Sequence, residues 1–275
     1  MIDAHQHFWE LGRHDCTWPT PDLSAIYRDC IPAELEALAR GAGVRGSVLV
    51  QSQESDRDTD YLCDVAQHTD FVLGVVGWVD LAAPGAPARI AQLARRPKLR
   101  GLRPMLQDQA DDSMLNDALQ PGIRAMQAHR LCFDALIRPR HLGHLHALAE
   151  RCPDLPIVID HAAKPLIALG QLDPWREDLR AIAQRPNVFC KLSGLVTEDE
   201  NDWQPANLAP YCAHVLECFG PDRVMWGSDW PVLELRTSYS RWLDVARELT
   251  AHLRPDESAA VFETTARGFY GLTVE

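Results

Sequence analysis

The sequence predicts a (β/α)₈ barrel of the TIM type, in the α/β class, on three observations. Short apolar runs, largely free of polar interruption, alternate with amphipathic helical stretches, as expected of a parallel sheet buried on both faces. Eight such units in 275 residues favour a closed barrel over an open doubly wound sheet, which is the structural alternative. His7, Arg103, His161, Lys191 and Asp229 fall at the ends of these runs, where a barrel carries its working groups. No linker, low-complexity tract or composition shift marks a second domain, so residues 1–275 read as a single unit.

The elements follow in order. The first strand lies within Met1–Trp9, followed by a loop over 10–30 rich in Trp, Pro and Asp and long enough to cover a site. A helix over 31–41 has Pro32 at its start and Gly41 at its end. Strand two spans 44–51 and leads to an acidic amphipathic helix over 56–69; strand three spans 71–80, with a helix over 88–96. Strand four, 99–104, ends at Pro104, and the helix over 113–128 is expected to break at Pro121. Strands five to eight are read at 130–137, 157–161, 188–193 and 223–229. Helices follow over 141–151, 174–185 and 205–219, and two more, 238–252 and 256–270, close the chain.

Composition narrows the function. With 46% hydrophobic residues the chain can bury a full core, while a net charge of −12 without a Lys/Arg block argues against nucleic-acid and anionic-membrane partners. The eight cysteines show no zinc-ligand spacing and read as reduced thiols. No run of about eighteen apolar residues occurs and strand one begins at residue 2, so the expectation is a soluble, cytoplasmic protein, monomer or homodimer.

The strongest chemical signal is in strand one. His5 and His7 stand two apart, so in an extended segment both imidazoles leave the same face and can converge on one centre. They are half a metal site, for which His161 and Asp229, after later apolar runs, are the candidate completions. A lone His-x-His is weak, because buried histidines are commonly satisfied by backbone. The pair combined with a His and an Asp at later strand ends points to function, since inward polar groups are costly without a purpose.

Five motifs then resemble one family. Ile2-Asp3-Ala4-His5-Gln6-His7-Phe8-Trp9, Gly101-Leu102-Arg103-Pro104, Ile159-Asp160-His161-Ala162-Ala163-Lys164-Pro165, Lys191-Leu192-Ser193-Gly194 and Trp226-Gly227-Ser228-Asp229-Trp230-Pro231 run from end to end. Together they resemble the amidohydrolase superfamily, in the branch of sugar lactonases and dicarboxypyrone lactonases. The resemblance implies one divalent metal ion, zinc foremost, on His5, His7 and Asp229, with His161 as a metal or substrate contact. Strand five departs from the pattern: where metal-dependent relatives often place a histidine, this chain reads Cys132-Phe133-Asp134. That departure argues against a binuclear centre and against decarboxylase relatives, and leaves open a lactonase that dispenses with metal.

The expected reaction is therefore hydrolysis of a sugar lactone, an L-fuconolactone-like aldonolactone, to the aldonic acid. Asp229 is the candidate base for the attacking water. A zinc-type ion lowers that water's pKa toward about 7; without one, His161, Arg103 or Lys191 must polarise the carbonyl. Lys191, flanked by Cys190 and Leu192, is expected to point inward, and Arg103 to touch substrate or anchor a loop carboxylate. Trp9, Trp78 and Trp230 are candidate walls for a sugar ring, against the commoner use of tryptophan in cores, and Gln51 and Gln53 are candidate hydroxyl partners. An aromatic-derived dicarboxylate lactone, needing cations such as Arg103, Arg138 and Lys164, is the enzymatic alternative; a non-catalytic ligand-binding barrel is the other.

Other signals fail. Gly41-Ala42-Gly43-Val44-Arg45-Gly46 fits a dinucleotide fingerprint but runs from helix to strand, the reverse of the required order. His144 and His146 diverge by about 200° on a helix. No G-x-S-x-G elbow occurs, which disfavours a covalent serine mechanism.

Overall fold

The computed structural model describes residues 1–199 and 203–273. Eight strands form one sheet in sequential order: β1 (Ile2–Gln6), β2 (Gly46–Val50), β3 (Val72–Gly77), β4 (Leu99–Leu102), β5 (Cys132–Ala135), β6 (Ile157–Ile159), β7 (Val188–Leu192) and β8 (Val224–Trp226). Every paired neighbour is parallel. Helices α1 (Pro32–Gly41), α2 (Asp56–Gln67), α3 (Ala86–Leu93), α4 (Gln120–Ala128), α5 (Leu142–Arg151), α6 (Trp175–Ile182), α7 (Pro205–Phe219) and α8 (Tyr239–Leu249) intervene. The architecture is a (β/α)₈ barrel.

The core divides in two, as alternation of side chains across a barrel wall requires. Ala4, Val48, Val50, Val76, Val158 and Met225 fill the interior, and Tyr270 and Leu272 from the C-terminal segment pack beneath them. A larger cluster fills the space between strands and helices. Local signals explain the helix starts: Ser55 Oγ accepts from the N–H groups of Arg57 and Asp58 at the head of α2, and prolines occupy the first turns of α1, α3 and α7.

Three expected boundaries change. Pro121 opens α4 instead of breaking a helix, because the preceding residues form two single 3₁₀ turns, Ser113–Leu115 and Asp117–Leu119. Strand six stops at Ile159, where the chain turns left-handed. The closing helix contains a π turn, Ala260–Thr264, between Pro255–Ala259 and Thr265–Tyr270. All eight cysteines are unpaired, and among the described residues no helix is long and apolar enough to cross a membrane.

Candidate functional site

The barrel closes at the site itself. Among the described residues β8 is not laddered to β1; the segment after β8 makes the closure. Asp229 N–H donates to His5 O and His7 N–H to Trp230 O, both at 2.8 Å, around a parallel bridge between Gln6 and Trp230. Asp3 clamps the same seam: Oδ1 accepts from Ser228 N–H at 2.8 Å and His5 N–H at 3.2 Å, and Oδ2 accepts from Tyr239 O–H at 3.1 Å. Burial pushes the Asp3 carboxyl up to about 6. Gly227 makes the close approach possible, since a Cβ there would lie 2.7 Å from His5 Cβ.

The end of β6 is held in a costlier shape. His161, Ala162, Ala163 and Lys164 have φ values of 53°, 50°, 62° and 52°, four successive non-glycine residues in the left-handed region, and Asp229 has a φ of 62°. Each such residue costs on the order of 1 kcal/mol, and such strain gathers at functional sites. The turn carries His161 over β7, where its Nδ1 lies 2.9 Å from Ser193 Oγ. Gly194, itself at φ 63°, gives it room: a Cβ there would stand 2.5 Å from His161 Nδ1.

Three imidazoles and a carboxylate converge. His7 Nε2 lies 3.2 Å from His5 Nε2 and 3.3 Å from Asp229 Oδ1; His5 Nε2 and His161 Nε2 stand 3.7 and 3.9 Å from the same oxygen. Partner chemistry fixes the His7 tautomer. His7 Nδ1 faces Val50 O at 2.8 Å, a pure acceptor, so the ring proton sits on Nδ1 and Nε2 is bare. His5 stands between two pure donors, Arg103 Nη1 at 3.3 Å from Nε2 and Lys191 Nζ at 3.1 Å from Nδ1, with the acceptor Asp160 Oδ1 3.4 Å from Nδ1. The bare His7 Nε2 and the Asp229 carboxylate therefore face one centre, with His5 Nε2 and His161 Nε2 beside it. Ligands about 2.1 Å from a tetrahedral zinc stand roughly 3.4 Å apart, close to these spacings. His5, His161 and Asp229 bring ligating atoms within 4.8 Å of one another, so the donor set fits a divalent cation.

Burial lowers His5 far below the usual imidazole range, with the Lys191 charge adding to the effect. It also lowers His161 to about 4, against the opposing pull of Asp229 and Asp160. Burial opposes ionisation of Asp229, but His161 and the other two histidines hold its carboxyl well below the ordinary range.

A second polar layer lies beneath. Lys191 Nζ, fully buried, is 2.6 Å from Asp134 Oδ2, 3.0 Å from Asp160 Oδ1 and 3.1 Å from His5 Nδ1. Tyr270 O–H donates to Asp134 Oδ2 at 2.6 Å. Burial alone would lower the Lys191 ammonium, but Asp134 and Asp160 keep it charged. The inward direction expected for Lys191 holds, yet its ammonium sits behind His5 and outside the lining of the open cavity.

That cavity, about 730 Å³, opens at the C-terminal ends of the strands and is lined by His7, Arg103, His161 and Asp229. The expected aromatic walls lie elsewhere. Trp9 and Trp230 are buried, their indole N–H groups donating to Arg28 O and Glu234 Oε1, each at 2.8 Å. Trp78 is half-buried and also outside the lining. The indole at the cavity is Trp18, from the long loop after β1. Gln51 is buried behind Arg103, exchanging bonds with its backbone carbonyl and guanidinium, whereas Gln53 reaches the cavity. Most of the Gln53 amide is used on that loop, its Oε1 accepting from Thr17 N–H at 3.0 Å and its Nε2 donating to Trp18 O at 2.7 Å.

Sequence reasoning missed Asp160, Asp134 and Trp18. The two aspartates left a trace, as carboxylates inside apolar strand runs; Trp18 left none, because nothing local in a Pro-rich loop says which residue folds inward.

Comparison with known proteins gives the family. The profile of the amidohydrolase family matches residues 2–272. An L-fucono-1,5-lactonase of Burkholderia ambifaria is 51% identical over 98% of this chain and 95% of its own. One from Burkholderia multivorans is 36% identical over 98% and 96%. A crystal structure of a Burkholderia multivorans amidohydrolase with bound zinc superposes with a TM-score of 0.92 at 34% identity, covering 99% of each chain. Matched along nearly its whole length, this chain belongs to the amidohydrolase family.

Proposed function

We propose that the protein is a lactonase that opens a six-carbon deoxysugar lactone of the L-fucono-1,5-lactone type to its aldonic acid. The observation that carries the proposal is the convergence of three imidazoles and the Asp229 carboxylate at the floor of a polar cavity, in a chain half identical to a protein of that name. Asp229 accepts a proton from the attacking water. The water oxygen bonds to the lactone carbonyl carbon, the ring C–O bond breaks, and Asp229 returns the proton to the ring oxygen as it becomes a hydroxyl. The Arg103 guanidinium supplies positive potential for the carbonyl oxygen.

His5, His161 and Asp229, with His7 beside them, would hold one divalent ion, zinc foremost. When bound, such an ion acidifies water and polarises a carbonyl. Ser52, Gln53 and Ser55 face the cavity as hydroxyl partners, and Trp18 offers the flat wall. Asp15, Glu54 and Asp108 also line it, which suits a neutral polyol and opposes a dicarboxylate. The eight unpaired cysteines fit a cytoplasmic setting, where thiols stay reduced.

A pH-indicator assay across six-carbon deoxysugar and five-carbon sugar lactones, with and without chelation, tests the reading. Turnover of one stereochemical subset is expected, with loss on chelation and recovery with zinc or manganese. No turnover across the panel would overturn it; turnover unaffected by chelation would reassign the histidines as substrate contacts.

A further inference from the structure

Ring opening changes the charge of the bound molecule: a neutral lactone and water become an aldonate anion and a proton. A cavity that performs this step must receive the new negative charge somewhere and then let it go. Asp15, Glu54, Asp108 and Asp229 all repel it, and the lining's arginine and lysine side chains are Arg103 and Lys164. Arg103 is already committed: one terminal nitrogen faces His5 Nε2 and Asp160 Oδ2, and the other donates to Gln51 O. Lys164 is not. Its one charged neighbour among the described residues is Glu198, whose Oε1 lies 3.6 Å from Nζ, beyond hydrogen-bond range.

Lys164 also shares the left-handed turn that presents His161, so its backbone is fixed relative to the reacting centre by the same four-residue distortion. About a fifth of its side chain and of the Glu198 side chain is exposed, enough desolvation for charge to count and enough access for a ligand to arrive.

We propose that Lys164 is the substrate-contact residue that binds the carboxylate formed on ring opening, and that Glu198 competes for the same ammonium and drives product release. The proposal rests on the lactonase reading and assigns that site its product-binding group. No further reactant is needed. Water adds to the carbonyl carbon, the ring oxygen leaves as a hydroxyl, and the nascent acid gives its proton to solvent water as its carboxylate pairs with Lys164 Nζ. Glu198 then recovers the ammonium, and the acidic rim favours departure of the anion.

Two variants with opposite expected signs test the proposal in the full-length enzyme. Product inhibition by the aldonate and KM for the neutral lactone are measured for wild type, Lys164→Met, Lys164→Arg and Glu198→Gln. Lys164→Met is expected to weaken aldonate inhibition at least tenfold while KM changes less than threefold. Lys164→Arg restores the inhibition, and Glu198→Gln tightens it several-fold and lowers kcat through slower release. Unchanged aldonate inhibition in Lys164→Met, or parallel shifts of inhibition and KM, overturns the proposal, as does weakened inhibition in Glu198→Gln. Lactone turnover by the wild-type enzyme is read first, so failure of the lactonase reading is seen apart from failure of the Lys164 assignment.

Discussion

Replacing Lys191 with Met tests the polar layer beneath the site. The Lys191 ammonium serves two fully buried carboxylates, at 2.6 Å in Asp134 and 3.0 Å in Asp160, and no water-facing surface lies beside it. Methionine nearly conserves the volume, so the packing loss is small and the electrostatic loss dominates. Breaking a buried pair by removing one partner costs about 3–5 kcal/mol, because the remaining charge is left uncompensated. Asp134 loses the cation at 2.6 Å, while Asp160 keeps Arg103 Nη1 at 3.4 Å, so the full range applies. For a chain of this size each kcal/mol moves Tm by roughly 2–4 °C, so a fall of about 6–20 °C is expected. Circular-dichroism melts at pH 7 measure it. A second variant, Lys191→Met with Asp134→Asn, removes one stranded charge and should recover part of the loss. A melting point within 2 °C of wild type in the single variant would refute the assignment of Lys191 as the buried counter-ion.

Other expectations follow from the same reasoning. Gln53→Ala removes the amide that ties Thr17 and Trp18 to the cavity wall, so KM for the lactone should rise about tenfold while kcat changes less, as measured in steady-state kinetics. Asp58 is buried at the start of α2, and burial pushes its carboxyl up to about 7 although Ser52 and Gln53 backbone groups oppose the shift. A folded value above the unfolded one means its stability contribution is full below about 4 and lost as pH rises through 7. Asp58→Asn, a mimic of the protonated acid, should therefore lose less Tm than wild type between pH 5 and 8.5; equal losses would refute it. Tyr239→Phe strands Asp3 Oδ2 at the seam and should cost about 1–3 kcal/mol in urea unfolding.

The sequence carried the strand order and the converging groups, because both rest on local patterns. Apolar runs of strand length name the wall of a barrel, and the two-residue spacing of His5 and His7 survives into the fold even though β1 ends at Gln6 and His7 lies just beyond it. His161 and Asp229 were legible as polar residues terminating such runs, and the structure brings both to the histidines. What local patterns could not carry was long-range choice. Trp9 and Trp230 look like Trp18 in a sequence, and only the path of the loop after β1 decides which indole meets the cavity. The left-handed turn at His161–Lys164 was also unreadable, since it contains no glycine to announce a positive φ and is imposed by packing over Ser193 and Gly194. Lys191 was read as inward from its neighbours, but its two carboxylate partners come from β5 and the end of β6, contacts that no spacing within β7 reveals.

The most direct test of the central claim is the turnover number of Asp229→Asn on the sugar lactone that the wild-type enzyme hydrolyses. The amide keeps the size of the carboxylate but cannot take a proton from water. A kcat loss of about 10²–10⁴ with a folded protein and a little-changed KM is expected. A variant that hydrolyses the lactone within tenfold of the wild-type rate would contradict it, and the base would have to be sought elsewhere in the cavity.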